Sequence, residues 1–119
     1  PLYSSAASDV YKRQSGTLPA PPAVLRQYVN SYGVRVLRIA AQGTAGSGGT
    51  LGMQLQMTDG TNNCNTPQEM LPDTGTYTSS GVSGTCTFAG GSTLYLRIIA
   101  DDHTTRPGSV VFTMEMVSN

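Results

Sequence analysis

Thr50 to Thr58 reads TLGMQLQMT. Leu51, Met53, Leu55 and Met57 fall on one side of an extended chain and Gly52, Gln54, Gln56 and Thr58 on the other, because successive strand side chains point to opposite faces. Strict alternation over this length predicts a strand with one buried and one wetted face. The same period returns elsewhere. Thr93 to Ala100 (TLYLRIIA) sets Leu94, Leu96, Ile98 and Ala100 inward and Tyr95, Arg97 and Ile99 outward. Ser109 to Val117 (SVVFTMEMV) sets Val110, Phe112, Met114 and Met116 on one face. Gly33 to Ala41 (GVRVLRIAA) is rich in Val, Ile and Leu, but its apolar residues change face between Val36 and Leu37, which marks a bulge.

Shorter strands are expected around Asn63 to Asn65, Thr76 to Ser79 and Thr85 to Phe88. Asp59-Gly60 supplies a turn, since Gly takes positive φ without steric cost and Asp caps its own backbone. Gln42 to Gly49 (QGTAGSGG) and Asp101 to Gly108 (DDHTTRPG) read as polar connections. No segment has a convincing helical period and no repeat is visible. About seven short strands separated by turns predict an all-β fold, a small antiparallel β-sandwich or jelly roll.

The chain has 119 residues, with 7 basic and 7 acidic side chains. Beyond Gln14, five arginines (26, 35, 38, 97, 106) face six acidic residues (59, 69, 73, 101, 102, 115). That balance gives no basic footprint for nucleic acid and no electrostatic membrane anchor. No apolar run approaches the roughly 20 residues of a membrane-spanning helix. The periodic placement of apolar residues argues against a disordered linker.

Cys64 and Cys86 are the two cysteines. They lie in separate expected β segments, and the stretch between them has few side chains able to hold it by packing. A disulfide is the expected state in a secreted domain, which places the chain outside the cell or in the periplasm. Two free buried thiols or a metal site are the alternatives, and the metal site is short of ligands in a chain with 1 histidine.

The N-terminal stretch reads differently. Pro1 to Gln14, PLYSSAASDVYKRQ, resembles the translated read-through of a sequencing adapter at the edge of a metagenomic contig. Lys12, the one lysine of the chain, lies in it. The expectation is an artefact or a disordered tail over 1–14, with upstream sequence lost from the gene. Residues 15–31 then form a Pro-rich linker (SGTLPAPPA over Ser15 to Ala23) and a lead-in segment, and 32–119 the β-sandwich domain.

One layout joins these parts: a strand ending in a polar turn, Cys64, a Gly/Thr-rich stretch with Cys86, then GGSTLYLRIIADD (Gly90 to Asp102) and the last alternating strand SVVFTMEMV. It resembles the bacterial pre-peptidase C-terminal domain over about Tyr32 to Val117. The resemblance implies a jelly-roll-like sandwich appended to secreted hydrolases and surface proteins, with a non-catalytic role in secretion, folding or substrate attachment. It implies an upstream catalytic or anchoring domain as partner. Leu94-Tyr95 stands where that family has two aromatics, and LGMQLQMTDG lacks the family's acidic signature, so any calcium site of that family loses its basis here. The alternative role is a structural or adhesive subunit of an extracellular assembly, which would add strands at an exposed edge.

Candidate sites are few. Asp101, Asp102 and His103 set two carboxylates and an imidazole side by side, a ligand set for a cation, although solvated Asp and His are ordinary in such a turn. Asp59 with Asn62 and Asn63 offers oxygen ligands for calcium without the spacing of an EF-hand loop. Ser, His and Asp are all present, but no nucleophile elbow accompanies them, so no enzyme activity is expected and no cofactor is implied. Met53, Met57, Met114 and Met116 sit at inward positions and read as core filler rather than a soft-metal site. Gln54, Gln56, Tyr77, Tyr95 and Arg97 lie on wetted faces and are residue types that grip a polysaccharide or a protein ligand. If the Gln54/Gln56 strand neighbours the Tyr95/Arg97 strand, one sheet presents a polar–aromatic platform.

Overall fold

The computed structural model describes residues 8–118. Among them the chain forms ten strands and no helix: β1 (Ser8–Thr17), β2 (Ala23–Asn30), β3 (Val34–Gln42), β4 (Met53–Thr58), β5 (Asn63–Asn65), β6 (Tyr77–Gly81), β7 (Ser83–Gly84), β8 (Thr87–Phe88), β9 (Ser92–Asp101) and β10 (Gly108–Ser118). They build two antiparallel sheets. The first has the order β1-β10-β3-β6, with β8 also pairing β3; the second has the order β2-β9-β4-β5-β7. The all-β sandwich is as the alternation predicted. The strands beyond the expected seven include β1, which falls in the stretch expected to be tail and spacer, and β2, which falls in the lead-in segment. β1 pairs with β10 and β2 with β9. Positions 1–7 of the adapter-like string lie outside the described residues.

The core is the set of inward faces. Val36, Ile39, Ala41, Val110, Phe112, Met114 and Phe88 from the first sheet meet Met53, Leu55, Met57, Leu94, Leu96 and Ile98 from the second, all of them buried. Burying each such side chain contributes about 1.5–3 kcal/mol relative to leaving it in water. The four methionines are core filler, as their spacing indicated. In β3 the bulge is real. β10 residues Glu115 and Met116 pair with Arg38 and Val36, leaving Leu37 as the extra residue. That one insertion lets Val36, Ile39 and Ala41 all face inward despite the broken period.

Two inward assignments fail. Leu51 is 55% exposed, because the strand begins only at Met53, after Gly52 turns the chain at φ 94°. Ala100 faces outward with its partner Gln54, because a second bulge skips Ile99 between the Gln54–Ala100 and Leu55–Ile98 pairs. Strand period holds only within an uninterrupted ladder, so each bulge or positive φ resets it.

Cys64 and Cys86 are joined in a disulfide. Cys64 belongs to β5 in the second sheet, and Cys86 directly precedes β8 of the first. The bond therefore pins the point where the chain passes from one sheet to the other. Closing a loop of 22 positions stabilises the fold by about 3 kcal/mol through restriction of the unfolded chain.

Candidate functional site

The DDH turn at the end of β9 is solvated at Asp102 only. His103 is buried and the Asp101 side chain is 1% exposed. Asp101 Oδ1 accepts from the His103 backbone N–H at 3.1 Å and contacts His103 Nδ1 at 2.5 Å, while its Oδ2 accepts from Arg106 Nε at 3.1 Å. Asp102 turns the other way. Its two oxygens accept from the backbone N–H groups of Leu51 and Gly52 at 2.9 and 2.8 Å. Those bonds, Leu51's first, hold its carboxyl below the usual carboxylate range. Ser47 bridges to Thr104 and Thr105 through backbone hydrogen bonds. The loop between β3 and β4 is thus laced onto the turn between β9 and β10. Gly49 is needed there, since a Cβ at that position would overlap the His103 ring. With the carboxylate as acceptor, Nδ1 is the donor of this contact, and Nε2 lies against Gly49 without a partner among the described residues.

The ligand atoms of Asp101, Asp102 and His103 do lie within 4.8 Å of one another. Every carboxylate oxygen of the group already accepts a hydrogen bond, so a cation would compete with a guanidinium and backbone N–H groups. Loop closure accounts for all of this chemistry.

Asp59 stands just past the far end of β4, about 20 Å from the level of Asp101 at strand rise. Its Oδ1 accepts from the backbone N–H groups of Asn62 and Thr61 at 2.6 and 2.9 Å, and its Oδ2 from the Asn62 side-chain amide at 3.2 Å. The bond from Asn62 is the main reason its carboxyl lies below the ordinary range. Asp59 and Asn62 form the turn itself, and the two acidic groups singled out in the sequence are not brought together.

Gln54, Gln56, Tyr95 and Arg97 are brought together. β4 pairs with β9 so that Gln56 faces Arg97 and Thr58 faces Tyr95. On the β5 side Asn65 faces Gln56 and Asn63 faces Thr58; on the β2 side Gln27 faces Tyr95. The outward face of the second sheet therefore carries the row Arg97–Gln56–Asn65 beside the row Gln27–Tyr95–Thr58–Asn63. Arg97 Nη1 donates to Gln56 Oε1 at 3.3 Å, and the Gln54 amide donates to the Thr66 carbonyl at 3.0 Å. Although it points away from the core, Gln56 is only 7% exposed, because its cross-strand neighbours pack around it. Arg97 Nε and Asn65 Oδ1 are buried in this row without a partner among the described residues. Tyr77 does not join them. It lies on β6 in the other sheet, exposed and paired with Gln42.

Sequence reading missed a cavity of about 350 Å³ at the end of the sandwich where β2 passes into β3. Tyr28, Tyr32, Val34, Met57, Leu94 and Met116 line it. The signal available is two tyrosines four residues apart around Asn30, just ahead of Gly33, and no pattern within that segment shows that they frame a cavity.

No family model matches the chain, and no curated protein matches it. Among solved structures it is similar to CsCBM6-3 from Clostridium stercorarium, determined in complex with cellobiose, at 10% identity over 98% of this chain and 86% of that one, with a TM-score of 0.40.

Proposed function

We propose that this chain is a non-catalytic β-sandwich module of a secreted bacterial protein, working outside the cell or in the periplasm, and that it attaches its parent protein to a polysaccharide through the outward face of the second sheet. The observation that carries this reading is the Arg97–Gln56–Asn65 row with its unpartnered Nε and Oδ1 atoms. An unpaired buried donor or acceptor costs about 1–3 kcal/mol, which a ligand hydroxyl would recover. At about 4.8 Å between strands, the rows across β2, β9, β4 and β5 span about 14 Å, the dimension of an extended polymer rather than a compact metabolite. A disulfide between sheets suits an oxidising compartment. The non-catalytic part of the reading rests on His103, whose ring is walled in by Asp101 and Gly49. Retention on insoluble cellulose, xylan and chitin tests the reading. Wild-type chain is expected to be retained on at least one, and Arg97→Ala and Gln56→Ala to lose retention while staying folded. Equal retention of all three proteins, or none by wild type, would refute it.

The structural-subunit reading has one observation in its favour. β2 lies at the edge of its sheet with Val24 and Val29 exposed, a surface able to accept another strand. A sedimentation run that shows only monomers at high concentration would remove it.

A further inference from the structure

We infer that the cavity beneath Tyr32 is a second ligand site, separate from the outward face, which takes a small uncharged aromatic molecule carrying one hydrogen-bond acceptor. The volume, about 350 Å³, falls inside the ~300–1,000 Å³ typical of small-molecule pockets. Among the described residues its lining includes no charged side chain, which favours an uncharged ligand. Its floor is Met57, Leu94 and Met116, all buried, and thioethers beside an aromatic ring make favourable contacts. A sugar would place several hydroxyls against that floor with nothing to bond. The Asn30 amide, the obvious polar group nearby, is already committed. It donates to the Ala89 carbonyl at 2.8 Å and to Ser92 Oγ at 3.2 Å, and its oxygen accepts from the Gly33 N–H at 3.0 Å.

One buried polar side-chain atom in the lining has no partner among the described residues, the Tyr28 hydroxyl. Burial pushes its pKa up to about 12, only partly offset by Arg26, so the group stays protonated and serves as a donor at any physiological pH. The Arg26 guanidinium stands 5.4 Å from the Tyr28 ring centroid, which steadies the ring. The mouth is stiff as well. Asn30 ties the β2–β3 turn to the β8–β9 turn, and a Cβ at Gly90 would strike the Ser31 carbonyl, so the two turns pack backbone to backbone. On this rim Tyr32 is 91% exposed, an aromatic plate beside an apolar opening. A ring that enters between Tyr32 and the methionines would bring a carbonyl within reach of the Tyr28 hydroxyl.

The test is an NMR titration of the whole chain with acetophenone, with ethylbenzene and methyl β-glucoside as comparison probes. Acetophenone is expected to shift the amide resonances of residues 28–34 and 94 saturably and to bind about tenfold more tightly than ethylbenzene, the value of one recovered hydrogen bond. Tyr28→Phe should erase that tenfold preference without lowering the melting temperature, and Arg97→Ala should leave it intact. Tyr32→Ala should weaken both aromatic probes. The inference is overturned by an absence of saturable shifts with acetophenone, by methyl β-glucoside binding the same residues more tightly, or by a preference for acetophenone that survives in Tyr28→Phe. None of these results bears on retention by polysaccharide at the outward face, so the two readings fail separately.

Discussion

The loops that close one end of the sandwich and the outward face of β9, β4 and β5 are made from similar polar residues, yet they are built to opposite ends. In the loops, every carboxylate oxygen of Asp101 and Asp102 is committed, to His103, to Arg106 and to the backbone of Leu51 and Gly52, and His103 Nε2 alone is left over. On the face, Arg97 and Asn65 keep polar atoms unpartnered. The difference teaches that a concentration of charge does not by itself mark where unused bonding capacity lies. Two carboxylates beside an imidazole draw the eye in the sequence, but they serve as a clasp. An arginine and an asparagine at outward strand positions draw little notice, but each holds an unpartnered polar atom.

Four perturbations would break or sharpen that contrast. The largest effect is expected from Cys64→Ser with Cys86→Ser, which should lower stability by about 2–5 kcal/mol in urea melts. Because Cys64 lies on β5, the loss should loosen Asn63 and Asn65 while the clasp stays protected in hydrogen exchange; equal loosening of both regions would mean that they are not independent. His103→Ala should cost about 3 kcal/mol, since it strips a partner from a buried carboxylate. An unchanged melting temperature would show that the ring does not hold the loops. Gly49→Ala should cost about 1–3 kcal/mol by driving a methyl group into the same ring, and the two changes together should cost less than their sum. Arg97→Ala should alter stability by about 1 kcal/mol, in keeping with the loss of a single part-buried hydrogen bond.

The acid limb gives the smallest effect and separates the clasp again. The Asp102 carboxyl lies below its usual 3.8 in the fold, so its contribution is complete above that value and fades as pH falls through the folded one. Asp102→Asn should therefore flatten the loss of stability below about pH 4, as followed by circular dichroism. A curve identical to that of wild type would mean that the Leu51 and Gly52 bonds are not felt.

Much of the fold was legible because it rests on local alternation. Met53, Leu55 and Met57, then Leu94, Leu96 and Ile98, then Val110, Phe112, Met114 and Met116 announce their inward faces by position alone. The bulge at Leu37 was legible for the same reason, as a break in the period. Ala100 and Leu51 were not, because the bulge at Ile99 and the turn at Gly52 depend on what lies across the ladder. The outward face was legible as residue types but conditional on which strands are neighbours, and Tyr77 had to be dropped once β6 joined the other sheet.

By itself the sequence determined the class of fold, the inward residues of its long strands and the two cysteines available for pairing, because a two-residue period and a residue count need no knowledge of distant contacts. The tertiary structure alone decided that β9 lies between β2 and β4, that Asp101 and Asp102 clasp the loop of Gly49, and that Tyr28 and Tyr32 frame a cavity. Each of these joins residues far apart in the chain, and such contacts follow from how the sheets stack and turn rather than from any pattern within one segment.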